Sequence, residues 1–457
     1  MKLRFLLALW AGKLSVIALR VLRRRGTVLP GCVALKICPD FLKYAPYPER
    51  VIAVTGTNGK TTVTNMLHDL FTADGQRVLT NQSGANEADG LSAMVVRGLS
   101  AMGKCRHDIC VYEVDEHWGR YILQWMPPKL LVVTNLLRDS MMRNAHPGYM
   151  QMILNEIIPK SVRLVLNADD LFSAFLAPNN PRSYFGVDAF PFDGKKQNSL
   201  LQDGRLCPRC GRPLIWDVLH YSSVGRMHCP VCGLRSPEPD YLGMEVDPQN
   251  GSFLLREQTG SVRIFPPNMS DFNIYNALAA AVVLRELGYT RERVGELFRK
   301  LEITKIRFSV TKLGGTVVCR TFAKGDNAYA NSRVFEYLRT QPGDQEIVLL
   351  VNYMNPGMNY SENTSWLYDC DFELLNTPKL RNIILCGAYA WDYRLRLRLA
   401  GIPEERISFA DSLEDIPNRL KLFENDHIYI LFQIYTFIEA IAVEQRVIDR
   451  VKEKIKP

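Results

Sequence analysis

Several things are scarce in this 457-residue sequence. It has no internal repeat and no low-complexity stretch, which excludes solenoids, propellers and compositionally disordered segments. It has no set of cysteines spread for cross-linking. Of eleven cysteines, seven (Cys32, Cys38, Cys105, Cys110, Cys319, Cys370 and Cys386) stand singly, several inside apolar runs such as "NIILCGAYA". That spacing argues against a disulfide framework and fits reduced thiols in a cytoplasm. The N-terminal stretch "MKLRFLLALWAGKLSVIALRVLRRRG" lacks the roughly 18 unbroken apolar residues a spanning helix needs. Lys13 interrupts it, and Arg20, Arg23, Arg24 and Arg25 follow. Although its charged start and apolar run are those of a signal peptide, residues 1–45 read as an N-terminal amphipathic segment. Its helix would either pack on a domain surface or rest against an anionic membrane face.

What is present is an ordinary soluble composition of large size. Apolar residues make up 47% of the chain, enough for a large core, and the length suits two or three domains. The 56 Lys and Arg exceed the 48 Asp and Glu by eight. That surplus suits nucleotides, phospholipid head groups or nucleic acid without choosing among them.

Along the chain, "RVIAVTGTNGKTTVTNMLHDLFTADG" reads as a β-branched strand, a glycine turn and a helix ended by Gly75. "DICVYEVDE", "KLLVVTNLL" and "VRLVLNADD" are apolar runs of strand length that close on polar residues, as the ligand edge of a buried parallel sheet does. "SDFNIYNALAAAVVLRELG" is a helix. From about residue 305 a second α/β pattern begins, with "GTVVCRTFA", "QEIVLLVNY", "LRNIILCGA" and "DHIYILFQIY" as strands. The fold class is therefore α/β, with a central domain over 46–304 and a smaller C-terminal α/β domain over 305–457.

Two motifs bear chemistry. Gly56-Thr57-Asn58-Gly59-Lys60-Thr61-Thr62 follows a strand and opens a helix. Its glycines let backbone N–H groups approach phosphate oxygens, Lys60 can neutralise the β/γ charge, and a threonine hydroxyl can ligate Mg²⁺. The other is Cys207-x₂-Cys210 and Cys229-x₂-Cys232, 18 residues apart, each pair followed by glycine (Gly211, Gly233). Two such turns offer four thiolates at about 2.3 Å from a tetrahedral Zn²⁺. With no open coordination position the metal would be structural, folding a ribbon inserted at 203–240.

"TGTNGKTT" resembles the ATP-binding loop of the Mur ligase superfamily, and other family marks follow in order. Ser83 in "NQSGAN" and Glu113 in "YEVDE" match positions that hold magnesium around the γ-phosphate. Thr134, Asn135, Arg138 and Asp139 of "TNLLRD" match the next strand end, and Asn273 and Asn276 in "FNIYNALAA" match a segment near the adenine. Singly, Glu113 or Asp115 could cap a helix and Asn273 could be a turn residue. With the Cys₄ ribbon, and with "SWLYDCDFE", "CGAYAWDYRLRLRLAGI" and "QIYTFIEA" further on, the chain resembles the MurT branch over nearly its whole length. The resemblance implies ATP-dependent amidation of the D-isoglutamate α-carboxyl in the stem peptide of lipid II through an acyl phosphate. Lys60 and Glu113 would serve the phosphoryl transfer. Ammonia would come from a GatD-type glutaminase partner, whose histidine Asp369 of "SWLYD" would orient, with Asp371 as the alternative. No nucleic-acid partner is implied, and the place of work is the cytoplasm or the inner face of the membrane.

The sequence also departs from that family. Asn363 stands where an aspartate precedes "SW", the "GR-x-E" opening reads Ile306-Arg307-Phe308-Ser309, and "KNPAG" reads Lys324-Gly325-Asp326-Asn327-Ala328. Two acidic positions are absent from "LLRDSMMRNAHPG". These changes leave two other readings open: a Mur-like ligase joining an amino acid, or a diverged ATP-binding paralogue that no longer amidates.

Overall fold

The computed structural model describes residues 2–24, 26–81, 85–139, 146–190, 193, 199–301, 308–323, 327–351, 363–423, 426–433 and 436–455. Arg25, Ser83, Ile306, Arg307, Lys324, Gly325 and Asp326, singled out above, lie outside the described residues. The chain forms two compact units. The first is Met1–Leu137, His146–Gln197 and Gln202–Glu302; the second is Arg138–Ala145, Asn198–Leu201 and Ile303–Pro457.

The first unit opens with three helices, α1 (Lys2–Val21), α2 (Leu29–Ile37) and α3 (Phe41–Tyr44). Then come β1 (Arg50–Thr55), α4 (Lys60–Ala73), β2 (Val78–Thr80), α5 (Ala88–Gly98), β3 (Ile109–Glu113) and α6 (Gly119–Trp125). They are followed by β4 (Leu130–Val133), α7 (Pro147–Ile157), β5 (Arg163–Asn167) and β6 (Arg182–Val187). The hairpin β7 (Ile215–Tyr221) and β8 (Val224–His228) belongs to the cysteine segment. The unit closes with β9 (Tyr241–Asp247), β10 (Ser252–Glu257), β11 (Gly260–Ile264), α8 (Asp271–Glu286) and α9 (Arg291–Arg299).

Nine of these strands form one sheet in the order β11-β10-β9-β6-β5-β4-β1-β3-β2. From β9 to β2 all pairings are parallel; β10 and β11 add an antiparallel edge. Parallel strands covered on both faces must be apolar throughout, and Ile52, Ala53, Val54, Val111, Leu131 and Val132 are all buried. Each fully buried Val, Ile or Leu there is worth roughly 1.5–3 kcal/mol. Because β1 lies between β3 and β4, strand order reverses at its C-terminal end, which makes the crevice where ligands settle on open α/β sheets. The alanine run of α8 (Ala277, Ala279, Ala280, Ala281) is buried, and its N-terminus is capped by the Ser270 hydroxyl accepting from Asn273 N–H.

The N-terminal helices belong to this unit. Instead of one apolar and one polar face, α1 has apolar side chains on two opposite sides. Phe5, Ala8 and Leu9 are buried, while Leu3, Leu7 and Leu14 are exposed. Phe5 stacks on Phe41 at 4.9 Å between centroids.

The second unit contains β12 (Phe308–Leu313), β13 (Thr316–Phe322), α10 (Ala328–Thr340) and β14 (Gln345–Leu350). After two 3₁₀ turns, Thr364–Asp369 and Phe372–Leu375, come β15 (Leu380–Cys386), α11 (Ala390–Leu399), β16 (Ile407–Phe409), α12 (Ile416–Arg419), β17 (His427–Phe432) and α13 (Phe437–Ile455). Its sheet runs β12-β13-β17-β14-β15-β16, parallel except for the β12–β13 hairpin. α13 lays Ala440, Val443, Val447 and Val451 into its core, a spacing of three and four that keeps one helix face inward.

Candidate functional site

The loop after β1 is held from outside by the neighbouring strand end. Thr57 N–H donates to the Asn135 carbonyl at 2.8 Å, and Asn58 N–H to the Asn135 side chain at 3.0 Å. The Thr134 hydroxyl donates to the Asn58 carbonyl at 2.6 Å, and the Thr57 hydroxyl to the Leu137 carbonyl at 2.9 Å. Gly56 and Gly59 have φ of 124° and 89°, in the left-handed range that favours glycine. Space forbids a side chain as well: a Cβ on Gly56 would lie 2.3 Å from the Thr134 hydroxyl, and one on Gly59 2.2 Å from the Asn276 side-chain oxygen.

At the first turn of α4, the Lys60 ammonium donates to the Gly56 carbonyl at 2.5 Å and to Glu116 Oε1 at 3.1 Å. Glu116 is buried, and its other oxygen has no hydrogen-bond partner among the described residues. A buried carboxylate holding a lysine at the mouth of a phosphate loop keeps that charge in place until anionic oxygens compete for it. The sequence reading missed Glu116. Its signal was a third carboxylate closing "EVDE", but a contact between residues 56 apart in sequence has no local pattern. Glu113 ends β3 and accepts from the Asn86 amide at 2.9 Å, while Asn81 bonds both its backbone N–H and its carbonyl. It therefore stands at the same sheet edge as the loop, one strand over.

The two asparagines of α8 differ. Asn276 is buried against the phosphate loop at Gly59. Asn273, one turn earlier, spends its amide on Asn268 (2.7 Å) and the Ser270 hydroxyl (3.0 Å), bracing the helix start. Next to this start lies a buried polar cluster. Asp169 Oδ2 accepts from the Tyr275 hydroxyl at 2.8 Å and from Val187 N–H at 2.7 Å, and His220 Nδ1 meets Asp193 at 2.8 Å. Burial opposes a charge on His220, but the bond to Asp193 and the nearby Asp169 carboxylate outweigh it and raise its pKa.

His220 lies in the cysteine segment, whose two knuckles repeat one geometry. In the first, Gly211 N–H donates to the Cys207 carbonyl and Cys207 N–H to the Arg212 carbonyl; in the second, Gly233 bonds Cys229 and Cys229 bonds Leu234 in the same way. Both glycines have φ of 71°. The sulfurs pair at 3.5 Å (Cys207 with Cys232, Cys210 with Cys229), and all four lie within 4.8 Å of one another. Backbone N–H groups of Cys232 and Val231 draw the Cys229 thiol down; the Arg212 N–H acts the same way on Cys210, where burial and the neighbouring sulfurs outweigh it and raise the thiol. Four convergent sulfurs with thiolate-favouring turns fit a closed tetrahedral cation site. The β7–β8 tip reaches the sheet edge, where Gly225 N–H donates to the Asp169 carbonyl and Leu171 N–H to the Ser223 carbonyl. The ribbon thus braces the end of β5.

In the second unit, Asp369 ends the first 3₁₀ turn, its side chain 31% exposed and 3.8 Å from Arg138. Asp371 is buried, accepts Leu200 N–H at 2.7 Å and receives no such opening; burial raises its pKa. Asn363, at the family's aspartate position, caps this turn by accepting Ser365 N–H at 2.8 Å, a task either residue type performs. Asn327 caps α10 and also donates to Asp139 at 2.9 Å. Ser309 donates to Glu444, which also pairs with Arg320 at 2.7 Å.

A phosphate loop at the switch point of such a sheet, followed by a second α/β unit, is the arrangement of Mur-type ligases, and comparison agrees. The family model for the Mur ligase middle domain matches residues 54–203 and that for the MurT ligase C-terminal domain residues 326–438. Among solved structures, a pseudomurein peptide ligase type C from Methanothermus fervidus superposes with a TM-score of 0.67 at 20% identity, covering 90% of this chain and 81% of that one. MurF ligase from Thermotoga maritima, in complex with ADP, gives 0.61 at 15%, covering 92% and 85%. At these identities they establish the fold.

The curated relatives go further. The lipid II isoglutaminyl synthase (glutamine-hydrolyzing) subunit MurT of Staphylococcus aureus strain COL is 32% identical over 400 residues, 86% of this chain and 88% of that protein. Its namesake from Streptococcus pneumoniae strain ATCC BAA-255 / R6 is 31% identical over 455 residues, 96% of each. The chain belongs to the MurT family of Mur-type ligases.

Proposed function

We propose that the protein is the ligase subunit of a lipid II isoglutaminyl synthase, converting the D-isoglutamate α-carboxylate of the stem peptide to its amide. The observation that carries this reading is that residues 326–438 of the second unit match the family model specific to the MurT ligase C-terminal region, and that MurT subunits are 31–32% identical where a D-glutamate-adding Mur ligase is 23%. It favours amidation over the amino-acid ligase and the diverged paralogue.

The chemistry follows in two steps. A carboxylate oxygen attacks the γ-phosphorus of ATP, releasing ADP and leaving an acyl phosphate. Ammonia then attacks the acyl carbon and expels inorganic phosphate, giving the amide. Lys60 would leave Glu116 for the β/γ oxygens, and backbone N–H groups of residues 59–62 would cradle the phosphates at the start of α4. Thr61 or Thr62, Ser83 and Glu113 would hold Mg²⁺, which when bound offsets charge on the transferring phosphoryl group. Asn276, against Gly59, would contact the nucleotide, with Asn273 positioning its helix. The four cysteines would hold a structural Zn²⁺.

Ammonia would come from a GatD-type glutaminase partner. Asp369, its side chain 31% exposed beside Arg138, is more open than the buried Asp371, which accepts Leu200 N–H, and is the residue we assign to orient a partner's histidine. Amide formation on lipid II, supplied either with ammonium or with glutamine and the glutaminase, tests the whole reading. Lys60→Ala should lose about a thousandfold of both activities. Asp369→Ala should lose the glutamine-dependent activity and keep the ammonium-dependent one. ATP bound with no amide from either nitrogen source would sink the proposal in favour of the diverged paralogue.

A further inference from the structure

The two-faced character of α1 is unexplained by anything in the ATP-binding site. Its inner side is used fully: Phe5, Ala8 and Leu9 are buried, and a Cβ on Gly12 would lie 2.8 Å from Val96. Lys13, the residue that breaks the apolar run in sequence, also turns inward. Its ammonium donates to the carbonyls of Val96 (2.9 Å) and Leu99 (2.6 Å) at the end of α5. That takes Lys13 away from the outer side.

The outer side then carries Leu3, Leu7, Trp10, Leu14, Ile17 and Val21, spaced by alternating fours and threes and between 45% and 76% exposed. This is a single stripe along the full helix. Trp10 is fixed in place by its indole N–H donating to the Ala101 carbonyl at 2.8 Å, and the adjacent Met102 is 73% exposed. Isolated exposed apolar residues need no explanation, but a contiguous stripe of this length does.

Charge selects the occupant. Arg20, Arg23 and Arg24 are exposed at the C-terminal end of the stripe, and the sequence has no acidic residue before Asp40. A second copy of the chain would therefore bring like charge to like charge, whereas phosphate-bearing lipid supplies the complement. No helix among the described residues is long and apolar enough to cross a membrane, so α1 would lie on the surface.

We propose that the outer face of α1 docks the protein on an anionic lipid bilayer, with the leucine and tryptophan stripe in the head-group boundary and the arginines against lipid phosphates. This agrees with a lipid-linked acceptor but is read separately from it, because the test needs neither nucleotide nor acceptor.

The experiment is flotation of the purified full-length chain with vesicles of phosphatidylcholine containing phosphatidylglycerol, or of phosphatidylcholine alone. We expect at least about tenfold more bound protein on the anionic vesicles, falling with added salt. Leu7→Glu with Leu14→Glu should abolish flotation, and Arg20→Gln with Arg23→Gln and Arg24→Gln should reduce it at least about tenfold while leaving the apolar face intact. Thermal melts of both variants matching the parent would exclude unfolding as the cause. Absent flotation, or equal flotation on both vesicle types, would overturn the proposal. So would a dimer in solution that Leu7→Glu with Leu14→Glu converts to monomer, since a second copy would then cover the face.

Discussion

The phosphate loop and the cysteine knuckles are both glycine turns, yet they are held in place by different means. Gly59 cannot change because the Asn276 oxygen would stand 2.2 Å from any Cβ, and Gly56 is closed in by Thr134 and Asn135. Gly211 and Gly233 have nothing within 4 Å; only their φ of 71° favours glycine. The loop is thus fixed by Thr134 and Asn135, which follow β4, and by Asn276 of α8 before any ligand arrives. The knuckles are fixed within themselves, and what draws the two together is the meeting of four sulfurs. One site is pre-organised by the protein; the other would be completed by a metal ion.

Removing the ion should therefore have the largest effect. Treatment with a strong zinc chelator, or Cys229→Ser, is expected to release about one zinc per chain and to unfold the β7–β8 hairpin. Apparent binding energies of structural zinc, roughly 10–16 kcal/mol, far exceed what so short a segment buries. Amide hydrogen exchange would show lost protection at 215–228, while β1 and α4 remain protected. A hairpin that stays protected without metal would abolish the contrast.

Gly59→Ala attacks the other side of the comparison. Positive φ and the collision with Asn276 act together, so ATP affinity should drop at least about tenfold. Adding Asn276→Ala removes the collision but not the backbone strain, and should restore part of the fold and little of the affinity. Full rescue, measured by nucleotide titration, would mean that close contact alone makes the glycine necessary.

How much of this was readable beforehand follows the same division. The phosphate loop, the strands beside it and the cysteine pairs are local patterns, so the sequence exposes them directly. Asn273 and Asn276 were legible as a pair matching a family segment, but not that Asn273 braces the helix start while Asn276 meets the loop. That depends on Asn268 and Gly59, brought in by the chain's path. Glu116 and the Asp169–His220–Asp193 cluster were missed for the same reason: each joins residues from separate elements. In α1 the sequence shows Lys13 interrupting the apolar run, but not that two α5 carbonyls satisfy it on the inner side.

The smallest expected effect is the most discriminating. At Gly211, alanine meets no atom and pays only for the left-handed backbone, about 1 kcal/mol. The Cys207 and Cys210 thiolates would still converge, so zinc should remain bound with affinity lowered about fivefold, read by competition with a chelating dye. Gly233→Ala should match it, because the two knuckles share φ and hydrogen bonds. Unequal losses would show that the second knuckle leans on its surroundings. One such support is His228, which ends β8 next to Cys229 and pairs with Asp217 at 2.9 Å. In that case the ribbon would share the pre-organisation that here separates the loop from it, and the contrast between the two glycine turns would narrow to one knuckle.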